Sequence, residues 1–81
     1  MIDLDTVLHA REALAGTPPQ QGTPGDLALR AIAGEIGAKR RANPELDDPG
    51  AIHLLVTESQ GRVGLDEELC RKACDYAQSG R

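Results

Sequence analysis

The residues of this chain best suited to hold a metal ion or exchange electrons are Cys70, Cys74, His9 and His53. On a helix, the spacing Cys70-x-x-x-Cys74 puts both sulfurs on one side of adjacent turns. Two thiolates with two imidazoles are also the ligand set of a tetrahedral zinc site. The spacing of the histidines argues the other way. Structural zinc sites draw their ligands in closely spaced pairs, whereas His9 and His53 stand alone on separate stretches of the chain. The cysteines read as small thiols packed on a helix face, so no metal site and no cofactor are expected.

Acid–base and nucleophilic chemistry find little to build on. Asp5 and His9 are four residues apart, a spacing at which a carboxylate raises an imidazole pKa, but as an exposed helical pair they contribute only a few tenths of a kcal/mol. Ser59 and Ser79 have no histidine nearby in sequence, and the scattered glycines form neither GxGxxG nor GxxxxGK. A small helical chain with an aliphatic core also leaves little room for a pocket. The expectation is a protein that is not an enzyme and takes no small-molecule substrate.

The run Lys39-Arg40-Arg41, joined by Arg62, is the one grouping that invites an anionic partner. A nucleic-acid-binding regulator using these four residues is the alternative reading of function. Against it stand the formal charge of −4 and the place of the run in the last turn of a helix, where cations match the dipole. A helix-turn-helix centred on Gly61 fails as well. Its recognition helix would open with Asp66, Glu67 and Glu68 facing phosphates, and Arg62 and Glu67 would occupy positions that need apolar residues.

These groups must be carried by helices. Thr23 to Ala42 is the longest helical stretch, opened by Thr23 at N-cap, Pro24 at N1 and Asp26 at N3, a variant of the capping box. Asn43-Pro44 stops it. Leu29, Ile32 and Ile36 form one apolar stripe, and Leu27, Ala31, Gly34 and Ala38 form a second, nearly without bulk, on the other side. Small residues there admit another backbone closely, which accounts for glycines at 34 and 37 in a helix interior.

Three shorter helices flank it. The first is capped by Asp3 or Asp5 and stopped by Gly16, with Leu4, Val7, Leu8 and Leu14 as its apolar face. Residues 17–22, TPPQQG, form a stiff connection. After the acidic loop ELDDPG, Asp48 caps and Pro49 opens AIHLLVTESQ; residues 51–57 carry both helical and strand periodicity, and the capped start favours helix. Residues 61–64 form a turn. Asp66 caps the last helix, with Leu65 and Cys70 placed as a hydrophobic staple, i, i+4 pairs from Glu67 to Arg71 and from Glu68 to Lys72, and an end near Ser79-Gly80.

The expected fold is therefore all-α, a single domain over residues 1–81 built as a bundle of about four helices around a long central helix, 24–42. With no Phe or Trp and Tyr76 as the sole aromatic, the core is thin for its size, and oligomerisation is a common supplement. No apolar run spans a bilayer and MIDLDTV lacks the features of a signal peptide, so a cytoplasmic protein without membrane contact is expected. The functional expectation is a small non-enzymatic interaction module, a regulator, adaptor or inhibitor of a protein partner. A homodimer is included, docked through Leu27, Ala31, Gly34 and Ala38.

Overall fold

The computed structural model describes residues 2–16, 19–59 and 64–79, which form four helices and, among these residues, no strand. They are α1 (Leu4–Ala15), α2 (Pro24–Ala42), α3 (Asp48–Ser59) and α4 (Glu67–Ser79). The expected all-α bundle is what forms, and the central helix has the bounds its caps dictate. The stretch with both periodicities, 51–57, lies within α3 and is helical.

The ends of the helices follow from local chemistry. The Asp3 carboxylate accepts from the Thr6 N–H at 2.8 Å, so Asp3 rather than Asp5 caps α1. Thr23 accepts from the Asp26 N–H at 3.4 Å at the start of α2, and the N–H and side chain of Asn43 both bond the Lys39 carbonyl at its end. At α3 the capping carboxylate is Asp47, one residue before the expected Asp48, and it accepts from the Gly50 N–H at 2.9 Å. Asp66 caps α4 by accepting from the Leu69 N–H at 2.8 Å. Both staple residues, Leu65 and Cys70, are buried in the core.

Helix α2 packs against all three of the others, most extensively α1 and α4, and among the described residues α1 and α3 do not pack on each other. The core accordingly runs along one side of α2, where Leu29, Ile32 and Ile36 meet Val7 and Ala10 of α1, Ala51, Ile52 and Leu55 of α3, and Leu65, Leu69, Cys70 and Ala73 near and on α4. Each fully buried Leu, Ile or Val side chain contributes about 1.5–3 kcal/mol, so burial on this one side of α2 dominates the stability of the bundle.

The apolar face expected for α1 is split. Val7 is buried and Leu14 partly so, but Leu4 and Leu8 are 53% and 49% exposed. The reason lies in where α2 approaches. A β-carbon placed at Gly25 would lie 2.7 Å from Ala13 Cβ and 3.5 Å from the His9 carbonyl oxygen. The α1 side that meets α2 is thus the one carrying Ala13, and the covered stripe becomes Val7 and Ala10, both buried, with Ala13 and Leu14 half-buried beside them. Leu4 and Leu8 are rotated away from it.

Candidate functional site

The outward face of α2 holds the residues expected to bind a partner. Leu27 is 57% exposed, and Ala31, Gly34 and Ala38 are exposed with it. A β-carbon at Gly34 would meet nothing within 4 Å. None of α1, α3 or α4 covers this stripe, because all three lie on the sides defined by Leu29, Ile32 and Ile36. Inside the fold the close backbone approach is at Gly25, whose missing side chain lets α1 and α2 cross. Gly37 makes room for the Arg41 guanidinium, with Nη1 3.4 Å from where a β-carbon would stand.

Beyond Ala38 the stripe runs onto Arg41 and an open hollow of about 380 Å³ lined by Gly37, Arg40, Arg41, Pro44 and Leu46. Here the basic run is met, and much of its charge is already committed. Lys39 pairs with Glu58, and Arg40 donates to Asp48 at 2.9 Å, both carboxylates belonging to α3. Arg41 is exposed and has no carboxylate partner among the described residues. The fourth member of the expected anion site, Arg62, lies outside the described residues, as do Gly61 and most of the expected turn.

Lone motifs elsewhere resolve into structural roles. His53 is exposed and lies 3.2 Å from Glu67, and the expected pair of Glu67 with Arg71 is absent among the described residues. The expected Glu68–Lys72 pair is present at 3.8 Å. Burial, reinforced by Cys74 and by the acidic groups Asp66 and Glu67, pushes the Cys70 thiol up to about 12, and burial raises Cys74 as well. Both are therefore thiols rather than thiolates near neutral pH. Among the described residues no three His, Cys, Asp or Glu side chains are grouped to hold a metal ion. No described helix is long and apolar enough to cross a membrane.

The most organised polar cluster is one that sequence reasoning missed. Asp26 is 1% exposed, yet its carboxylate is fully engaged: it accepts from Tyr76 Oη at 2.5 Å, Arg30 Nε at 2.9 Å and the Gly22 N–H at 2.9 Å. The Arg30 guanidinium also stands over the Tyr76 ring, 5.6 Å from its centroid. The carboxylate reaches one residue further back than a capping box requires, to Gly22, whose φ of 87° suits glycine. The Tyr76 hydroxyl first, then the Gly22 N–H and Arg30, hold the Asp26 carboxyl below the usual carboxylate range against the opposing effect of burial. The i, i+4 spacing of Asp26 and Arg30 is the sequence signal for that pair, and nothing local points to Tyr76. The cluster is a clasp between α2 and α4. No protein family, curated protein or solved structure matches the chain.

Proposed function

We propose that this chain is a small non-enzymatic interaction module, a regulator, adaptor or inhibitor subunit, that docks a helix of a protein partner on the outward face of α2. A second copy of the chain is its first partner. The observation that carries the reading is the bare face itself: Leu27, Ala31, Gly34 and Ala38 stay exposed on the longest helix although three other helices pack around it. A contiguous exposed apolar strip on a small domain is a feature that docking explains. Its lack of bulk suits close helix-on-helix approach, and the thin aliphatic core on the opposite side leaves α2 free to present it.

The test is sedimentation equilibrium of the wild type and of Gly34→Leu, with circular dichroism of each. Gly34 is open to solvent, and replacing glycine inside a helix favours helix formation by up to about 1 kcal/mol, so the variant folds. Wild-type self-association lost in Gly34→Leu with unchanged helicity supports the reading. Association that persists in the variant means the α2 face is not the docking surface.

A further inference from the structure

Resting on that reading, we infer that the occupant of the α2 face is helix α1 of a second copy, docked head to tail: α1 of one protomer lies on the exposed stripe of its partner's α2. The two surfaces are complementary in bulk and in charge. Of the large apolar side chains that the described residues leave exposed, Leu4 and Leu8 lie together on α1, while Leu27 on α2 stands about two turns before Gly34 and outside this contact. Leu4 and Leu8, one turn apart, make a ridge; Gly34 and Ala38, also one turn apart, make the shallow row that such a ridge fills. Glu12 continues the α1 ridge and Arg41 continues the α2 row. With the two helices parallel, Leu4 sits over Gly34, Leu8 over Ala38, and Glu12 beside Arg41.

The charge match is between two groups that the fold leaves without an ion pair. Glu12, at the end of the α1 ridge, and Arg41, at the end of the stripe, are exposed and have no ion-pair partner among the described residues. The neighbouring cations are already held, Lys39 by Glu58, Arg40 by Asp48 and Arg11 by Asp66. The two patches lie on different sides of one molecule, since the Ala13 side of α1 is the one against α2. Because the patches face away from each other, one two-fold axis cannot bring both α1–α2 pairs together at once, so the contact is heterologous. About three helical turns make a small interface, so the association is weak and belongs to the micromolar range or above.

A mixing experiment tests this. Gly34→Leu blocks the α2 face and leaves α1 intact; Leu8→Glu spoils the α1 ridge and leaves α2 intact. Each variant alone is expected to sediment as a monomer at concentrations where the wild type associates, and an equimolar mixture is expected to form a one-to-one complex. A two-fold contact of α2 with α2 gives no such rescue, so a mixture that stays monomeric overturns the proposal. Leu8→Glu that associates like the wild type also overturns it while leaving the α2 docking surface standing, whereas Gly34→Leu that associates like the wild type removes both. A monomeric wild type at high concentration overturns it outright. Because Leu8 is only half exposed, a charge exchange supplies an independent arm. Glu12→Arg and Arg41→Glu should each weaken association by roughly twofold to fivefold, and the double reversal should restore it. Single reversals without effect in both cases overturn the register.

Discussion

Tyr76 on α4 donates its hydroxyl to the buried carboxylate of Asp26 at the start of α2, 2.5 Å away across 50 positions of sequence. This bond closes the bundle at the end where α2 begins. It also makes the stability of the fold depend on two protonation states at once.

The pH dependence follows from the direction of each shift. The pKa of Asp26 is lowered in the fold, chiefly by the Tyr76 hydroxyl, so its contribution is present above the ordinary carboxylate value and is lost as the pH falls through the lowered folded value. Tyr76 is raised, chiefly by its bond to Asp26, so its contribution is present below its ordinary value and is lost as the pH rises through the raised one. The full contribution of the clasp should span about pH 4 to about pH 10. Thermal melts across pH should show a plateau there. Tyr76→Phe should lower the midpoint within the plateau by roughly 5–10 °C and flatten the alkaline limb; an unchanged midpoint would show that the bond does not contribute.

The two faces of α2 should respond oppositely to truncation. Ile32 is fully buried, and Ile32→Ala should cost about 2–5 kcal/mol in urea denaturation through the cavity it leaves. Leu27→Ala, at a 57% exposed position, should stay within about 0.5 kcal/mol in the monomer. A comparable loss at Leu27 would mean that its side chain is packed.

Glycine-to-alanine changes separate close approach from mere tolerance. At Gly25 the added carbon stands 2.7 Å from Ala13 Cβ, inside van der Waals contact, so Gly25→Ala should push α1 from α2 and destabilise the fold. At Gly34 the added carbon meets nothing, and Gly34→Ala should stabilise it by about 0.5–1 kcal/mol through helix propensity alone. Chemical denaturation of the two variants gives the signs directly, and equal effects would refute the crossing at Gly25.

Thiol labelling should distinguish the cysteines. Cys70 is completely buried with its pKa near 12, whereas Cys74 is half-buried. With iodoacetamide at pH 8 the native protein should be modified at Cys74 first, and Cys70 should react at least about tenfold more slowly than in the denatured chain. Peptide mass mapping over time reads both rates; early modification of Cys70 would contradict its burial.

How much of this was legible in sequence depends on the range of the interaction concerned. Thr23 with Pro24, Asp66 before Glu67, and Asn43-Pro44 act within a turn of where they stand, so the ends of α2 and the start of α4 could be read directly. The stripe Leu29, Ile32 and Ile36 was equally plain, because one helical period settles which residues share a side. The same local logic singled out Leu27, Ala31, Gly34 and Ala38 as a second stripe.

Whether a stripe is buried is a different matter, decided by where a neighbouring helix crosses. Periodicity placed Leu4, Val7, Leu8 and Leu14 on one face of α1, and the crossing at Gly25 and Ala13 turned that face so that Val7 is covered while Leu4 and Leu8 meet solvent. The partners of Asp26 obey the same rule. Its bonds to Gly22 and Arg30 lie within a helical turn, but the bond to Tyr76 exists only because α4 packs beside α2. The chain by itself therefore determined the helices, the caps of α2 and α4 and the two stripes of α2, all products of local hydrogen bonding and the helical period. Only the tertiary structure decided which stripe is core, which glycine carries the close approach and where Tyr76 is anchored, because each depends on the relative placement of helices joined through distant parts of the sequence.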